Sequence, residues 1–463
     1  MHAHRPHYEV AIIGGGSAGY ATARTTAAAG KKTVVIEGAP KMGGLCILRG
    51  CMPTKALLWA SEVLHVARKA QTWGVQAPKV DFDFGQVMAR KDAMIKEFAD
   101  YRCQQLSDGR FDLVRSQATF QDPHTVRLSD DSKLTADHFV IATGSHVSAP
   151  SIPGLAQTGY ITSDEALQLT TLPRSLIVLG GGAVAVEFAQ FFARFDVEVS
   201  LIQRSPHILR DFDTDAAEAL ETALRREGMT LVTNTRLLEV RREQGRKVVV
   251  FEHHGQRVER VADEILLALG RTPATASLGL QHASVETREN RILTNDRMQS
   301  TQPHIFAAGD CTGRHEIVHI AIQQGEIAAH NILHPDAPKE VDDRLLVSVV
   351  FTEPQVATVG LSEKSARNAS IPFLSASYPF NDHGKSLIME ARDGFVKLLA
   401  NPTTGEIIGG TCAGPVAGEL IHEIVVAMHQ RMTVKALASV PHYHPTLAEI
   451  WTYPAEELAE KIA

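Results

Sequence analysis

Cysteine is scarce in this chain. Five occur among 463 residues, at positions 46, 51, 103, 311 and 412, which excludes a scaffold stapled by disulfides. No uninterrupted apolar run approaches the ~18 residues that a membrane-spanning helix needs, so no membrane partner is expected. Charge of one sign is never concentrated. The net charge is −7, and no block of like charges marks a tail or a nucleic-acid surface. No second cysteine or histidine pair stands at zinc-ligand spacing, so no metal is expected. Low-complexity linkers are missing too, which suits domains packed around shared ligands. The apolar run after "MHAHRPHYEV" is short and ends in glycines, so it reads as a strand and not as a leader. What remains is an ordinary globular composition, 44% hydrophobic and 21% charged, in a chain long enough for about two to four domains. A cytoplasmic location is the default for so few thiols, and there a disulfide is usually catalytic or redox-sensing.

Two of the five cysteines stand close together in "GGLCILRGCMPTKALL", residues 43–58. Cys46 and Cys51 suit a buried reduced pair, a metal site or a redox disulfide. In a regular helix their Cα atoms would lie about 8.6 Å apart, whereas a disulfide requires roughly 4.4–6.8 Å. The two can bond only where the helix is interrupted, and Gly50 permits an interruption. Pro53 suits the first turn of a helix running through "TKALLWASEVLHVARKA". Cys51 would then occupy that helix's amino end, where free N–H groups and the dipole favour a thiolate.

The stretch "EVAIIGGGSAGYATARTTAAAGKKTVVIE" supplies a stronger signal. An apolar strand leads into Gly14-x-Gly16-x-x-Gly19, then a helix of small residues, then a second strand ending at Glu37. This is the order a dinucleotide site requires. Glycines allow a tight turn and close approach to a pyrophosphate, the helix amino end faces its charge, and the acid accepts from a ribose hydroxyl. The pattern recurs in "SLIVLGGGAVAVEFAQFFARFDVEVSLIQRS" as Gly180-x-Gly182-x-x-Ala185. There the acid is replaced by Gln203 and Arg204, with Arg210 shortly after. Losing a carboxylate and gaining arginines is what a ribose 2′-phosphate would ask for. One site for FAD and one for NADPH follows, with NADH still possible.

Two such sites and a cysteine pair after the first resemble the class I pyridine nucleotide–disulfide oxidoreductases: dihydrolipoamide dehydrogenase, glutathione reductase, mercuric reductase and relatives. "GGLCILRGCMPTKALL" resembles the family's redox-disulfide motif. "FVIATGS", carrying Thr143 and Gly144, resembles the strand leading out of the first FAD segment. "LLALGRTPAT", carrying Gly270, resembles the return from the nucleotide domain. "IFAAGDCTG" resembles the second FAD motif, and "HYHPTLAE" the carboxy-terminal motif.

The resemblance implies an α/β fold: two Rossmann-like dinucleotide-binding domains and an α+β carboxy-terminal dimerisation domain. The boundaries expected are 1–150 and 271–340 for the FAD domain, 151–270 for the NAD(P)H domain and 341–463 for the dimerisation domain. It implies a homodimer in which Cys46 and Cys51 form the redox disulfide, with Cys51 nearest the flavin and Cys46 exchanging with substrate. His444 and Glu449 would form an acid–base dyad. Lys55 and Glu187 would be an ion pair near the flavin, Asp310 would contact the flavin's ribityl side, and His319 stands where dihydrolipoamide dehydrogenases carry histidine.

Marks of the substrate are mixed. "KALLWASEV", "EIVHIAIQQG" and "GPVAGELIHE" look like dihydrolipoamide dehydrogenase, and an NAD-linked enzyme of that kind is the alternative reading. Arg24 looks more like glutathione reductase, yet Glu326, at that enzyme's second glutathione-binding arginine, would repel a carboxylate. Mercuric reductases carry a carboxy-terminal cysteine pair, and this chain ends "EELAEKIA". A non-turnover redox-sensing flavoprotein subunit is the reading from a different class. An intact cysteine pair, Lys–Glu pair and His–Glu dyad favour an enzyme that acts on a disulfide or dithiol. Leu45, Arg49 and Ala183 depart from the family pattern.

Overall fold

The computed structural model describes residues 6–462. Its chain divides into two compact units, one of residues 1–56, 88–148 and 270–341, the other of residues 57–87, 149–269 and 342–463. A mixed α/β architecture is seen in both.

The first unit is built on a seven-stranded sheet. Its centre is parallel: Asp112–Val114, Thr33–Ile36, His7–Ile13 and Lys133–Ile141 lie side by side in that order. The runs "EVAII" and "TVVI" alternate little because both faces of a parallel sheet are covered. Lys133–Ile141 is long enough to serve two partners on the edge away from His7–Ile13. Its first half pairs antiparallel with Thr125–Leu128, part of the hairpin with Ala118–Asp122, and its second half pairs parallel with Ile305–Ala307. Thus the chain returns after residue 270 to complete the sheet it began. Helix Ser17–Ala28 crosses helix Val318–Leu333 at very close range, since a Cβ on Gly325 would lie 2.4 Å from the Ala18 carbonyl oxygen. Thr22 Oγ1 donates across the crossing to the Gly325 carbonyl at 3.0 Å.

The second unit contains three sheets. A four-stranded parallel sheet runs in the order Thr230–Val232, Glu198–Ile202, Ser175–Leu179, Glu264–Leu267. An antiparallel meander of Thr235–Glu243, Arg246–His253 and Gln256–Ala262 accompanies it. The remaining five strands are antiparallel, ordered Val347–Val350, Gln355–Gly360, Ile407–Gly414, Phe395–Ala400, Leu374–Pro379. Helix Ala417–His429 covers this last sheet and contributes Leu420, Ile421 and Ile424 to its core. Trp451 is fully buried in the same core, and its Nε1 donates to the Leu420 carbonyl at 3.1 Å. Truncating such a residue to alanine costs about 3–5 kcal/mol. No described helix is long and apolar enough to cross a membrane.

Candidate active site

The first glycine turn sits between strand His7–Ile13 and helix Ser17–Ala28. Gly14 has φ +106°, and a Cβ there would lie 2.4 Å from the Ala142 carbonyl oxygen. Only glycine fits. Glu37 is buried at the end of the next strand, where its Oε2 accepts from Gly15 N at 2.8 Å and its Oε1 from Ala39 N at 2.7 Å. The carboxylate is therefore fixed behind the turn, with lone pairs left for a ribose. Gly16 is the amino cap of the helix and offers no side chain to the helix end.

Thr143 and Gly144 follow strand Lys133–Ile141, and Asp310 opens the turn after Ile305–Ala307. These segments are tied by a relay: Arg271 Nε donates to Ser145 Oγ at 2.8 Å, and Ser145 Oγ donates to Asp310 Oδ2 at 2.6 Å. Gly270 donates nothing to this relay, but its carbonyl accepts from Ser148 N at 2.9 Å and its φ of +112° reverses the chain. His319 is exposed in the first turn of helix Val318–Leu333. Two polar atoms here are buried without a protein partner, Thr143 Oγ1 and Gln324 Nε2. Buried polar groups normally find partners, so these orphans, the glycine cradle and the fixed acid together fit a bound dinucleotide such as FAD.

The cysteine pair lies in the same unit. Helix Gly44–Leu48 carries Cys46 and ends at Arg49, then Cys51 opens helix Cys51–Arg68. The break falls at Arg49–Gly50, and it brings the two side chains into hydrogen-bond contact. The hydrogen bond with Cys51, aided by burial, drives the Cys46 thiol far above its ordinary range, while Arg102 and Lys55 pull the other way. Arg102 stacks its guanidinium over the Tyr20 ring at 4.4 Å, and its Nη1 is buried without a partner. A cation over an aromatic face at this range is attracted by the ring quadrupole. Arg24 does not offer a free guanidinium, because it is ion-paired with Glu326.

The second turn and the dyad belong to the other unit. Gly180 repeats the geometry of Gly14, with φ +121° and a would-be Cβ 2.3 Å from the Ala268 carbonyl oxygen. Gly182 caps helix Ala183–Arg194, and a Cβ there would meet nothing within 4 Å. Gln203 is buried behind the turn, and its Oε1 accepts from Arg204 N at 3.0 Å. Arg204 is exposed, and exposed Arg210 makes only a loose pair with Asp211 at 3.5 Å. Ala183 is exposed at the first position of the helix. Glu187 is buried, and its Oε1 accepts from Phe351 N at 3.0 Å. In the five-stranded domain, His444 Nδ1 lies 3.0 Å from Glu449 Oε2. The imidazole is largely exposed, with a side-chain accessibility of 77%, while the acid is 11% exposed. A buried acid that orients an exposed imidazole is a proton-transfer arrangement.

Sequence reasoning missed Arg102, Tyr20, His383 and Ser386. None has motif spacing, and each acquires a role through a neighbour remote in the chain, save for the local Ser386–His383 contact.

Comparison with known proteins fixes the class. Residues 8–325 match the pyridine nucleotide-disulphide oxidoreductase family, and residues 346–455 match that family's dimerisation domain. The chain belongs to this family, and is thus a flavoprotein oxidoreductase that uses FAD and a nicotinamide nucleotide. Among individual relatives, it is 32% identical to a mercuric reductase of Staphylococcus aureus, over 96% of this chain and 81% of that one. It is 34% identical to a dihydrolipoyl dehydrogenase of Thermus scotoductus, over 97% of both chains. The HOCl-induced flavoprotein disulfide reductase RclA of Escherichia coli has a similar structure. Its TM-score is 0.86 at 27% identity, over 97% of this chain and 99% of RclA.

Proposed function

We propose that this protein is an NADPH-linked flavoenzyme that reduces a disulfide substrate through Cys46 and Cys51. The observation that carries the reading is the thiol pair itself, set across a helix break with Cys51 at a helix amino end. Bound FAD would supply a two-electron relay from the nicotinamide to the Cys46–Cys51 disulfide, whose reduction gives two thiols. Gly14, Gly16, Gly19, Glu37, Thr143, Gly144, Gly270, Asp310 and His319 would hold it, and Lys55 with Glu187 would set the charge near its reactive ring. Gly180, Gly182, Gln203, Arg204 and Arg210 would hold NADPH.

The rest is thiol chemistry. The Cys46 thiol keeps its proton at neutral pH, so it needs a base, and His444 oriented by Glu449 supplies one. The Cys46 thiolate attacks one sulfur of the substrate disulfide, the S–S bond breaks, and the leaving thiolate takes the proton from His444. Cys51 then attacks Cys46, re-forms the Cys46–Cys51 disulfide and releases the second substrate thiol. Glutathione disulfide is a poor fit, because Glu326 already occupies Arg24. The alternative, an NAD-linked dihydrolipoamide dehydrogenase, is favoured by the dihydrolipoyl dehydrogenase relatives.

In a two-fold dimer, the dyad of one chain would serve the cysteines of the other. Co-expressing two inactive variants, Cys51→Ser and His444→Ala, tests this. Mixed dimers carry one site with both defects and one intact site. Activity should return to roughly half the wild-type value per mixed dimer if the two sites act independently. Inactive mixed dimers, proved by differently tagged chains co-purifying, would refute a shared site.

A further inference from the structure

Behind the dyad stands a second imidazole that the reaction above does not use. His383 lies between the turn Phe380–Asp382 and the short helix Gly384–Ile388, and its side chain is 0% exposed. Its Nδ1 is 2.8 Å from Ser386 Oγ. Its Nε2 is 3.4 Å from Glu449 Oε1, while His444 Nδ1 straddles the same carboxylate, 3.2 Å from Oε1 and 3.0 Å from Oε2. Four groups therefore stand in line: an exposed imidazole, a carboxylate, a buried imidazole and a hydroxyl.

The chemistry of these groups fixes where the buried ring carries its proton. Burial lowers the pKa of His383, and the opposing pull of Glu449 does not undo this, so the ring is neutral with a single N–H. A carboxylate only accepts, whereas a serine hydroxyl donates or accepts. The proton accordingly sits on Nε2, toward Glu449, and Ser386 donates to Nδ1. The opposite tautomer would aim a lone pair at a carboxylate. Among the described residues Nε2 has no regular hydrogen-bond partner, and Glu449 Oε1 at 3.4 Å is the acceptor it faces. Long contacts of this kind tighten when a site is reacting.

We propose that His383 is a positioning residue for the acid–base step: it faces Oε1 of Glu449 with a neutral donor, so that the carboxylate keeps the orientation in which both its oxygens meet His444 Nδ1. This rests on His444 being the base for the cysteine pair. A charged donor in the same place would compete with His444 for the carboxylate. A buried neutral imidazole does not. The other titratable groups around this line are already engaged. His442 pairs with Glu423 at 2.6 Å, and this bond raises its pKa against the effect of burial. Tyr453 presents its ring edge-on to His383 at 6.3 Å and stacks on Tyr378, whose hydroxyl donates to Asp382 at 3.0 Å.

The test uses the flavin-loaded enzyme with its thiols reduced and iodoacetamide as the probe, so that no physiological substrate is needed. If Glu449 loses its alignment, the His444 imidazolium loses stabilisation, and the thiolate beside it becomes harder to form. In His383→Leu the apparent pKa of alkylation should move up by about one unit, and alkylation at neutral pH should fall about tenfold. His383→Gln keeps an N–H near the Nε2 position and should stay within about twofold of wild type. Ser386→Ala, which only unlocks the tautomer, should move the profile the same way by less. In all three, reduction by the nicotinamide nucleotide should be unchanged, whereas a merely structural role would depress both reactions together. His444→Ala separates the role of the dyad from that of His383. If it alkylates with the wild-type profile, the reading of the dyad fails. If it loses the profile while His383→Leu and Ser386→Ala keep the wild-type one, the role of His383 alone is overturned. Should His383→Leu not fold, the Gln and Ser386→Ala variants decide, and a Gln variant as impaired as His444→Ala, or an unmoved Ser386→Ala profile, overturns the proposal.

Discussion

The turn at Gly14–Gly19 and the turn at Gly180–Ala185 open alike, each with a glycine at a φ above +100° pressed against a carbonyl from a neighbouring strand end. They part at the third small residue. A Cβ on Gly19 would collide with the Gly14 carbonyl at 1.9 Å, whereas its counterpart Ala185 carries a Cβ and is fully buried. They part again behind the loop, where a fixed carboxylate, Glu37, faces the first turn and a neutral amide, Gln203, faces the second. Their helices are also anchored differently. Helix Ser17–Ala28 is held by small residues packed against Val318–Leu333. Helix Ala183–Arg194 is held at its carboxy end by charge: Arg194 bonds Glu227 at 2.8 Å and pairs with Glu62, while Gln190 exchanges two hydrogen bonds with the backbone of Glu353. In the proposed assignment the same turn geometry would serve two ligands, and the parts around it would decide which.

The comparison breaks most sharply at its shared glycine. Gly14→Ala should yield protein with little bound flavin and about 100-fold or more loss of activity, since a left-handed conformation and a 2.4 Å clash with backbone fall together. Gly180→Ala should keep its flavin and lose reduction by the nicotinamide nucleotide. Flavin absorbance per chain and the rate of nucleotide-driven reduction separate the two. Equal flavin loss in both variants would mean that the turns do not divide the ligands.

A smaller effect should follow from the residues behind the loops. Replacing Gln203 by Glu and Arg204 by Gln should move the ratio of kcat/KM for NADPH over NADH downward by about 10–100-fold, through lost charge-assisted bonds and added repulsion at the 2′-phosphate. Equal or better use of NADH by the unaltered enzyme would contradict the NADPH assignment and favour the dihydrolipoamide dehydrogenase reading.

The anchoring of the second helix predicts the smallest effect, in stability and not in rate. Burial raises the Glu353 carboxyl from 4.5 to about 8, with Glu62 adding to the shift and Arg194 opposing it. Between these two values the folded chain binds a proton that the unfolded chain has released. The stability Glu353 contributes is thus present below about pH 4.5 and is lost as pH rises through about 8. Neighbouring His65, lowered from 6.5 to about 4 mainly by burial and by Arg194, acts with the opposite sign between those values, in wild type and variant alike. In Glu353→Gln the decline of Tm with pH should flatten. An unchanged slope would show that the carboxyl is not buried in solution.

Much of this was legible in the sequence because its motifs are local. Gly14 and Glu37 stand at the spacing of one strand–helix–strand unit, while Cys46, Cys51, His444 and Glu449 lie in short motifs that were marked by their resemblance to the family's. The return of the chain at Ile305–Ala307 to pair with Lys133–Ile141 follows from the family resemblance and not from any periodicity. Arg102 and His383 were not legible. Arg102 gains meaning from stacking on Tyr20 beside Cys46, and His383 from lying against Glu449, which stands far along the chain. A lone cation or imidazole without a spaced partner carries no pattern.

The proposed function requires that electrons from the nicotinamide nucleotide reach Cys46 and Cys51 through the flavin. Anaerobic titration of the purified enzyme with NADPH tests this directly, followed by absorbance. The account predicts that two-electron reduction produces a long-wavelength thiolate-to-flavin band in the wild type, and that Cys51→Ser lacks it. A wild-type enzyme that passes straight to bleached flavin without the band would show that Cys46 and Cys51 do not exchange electrons with the flavin.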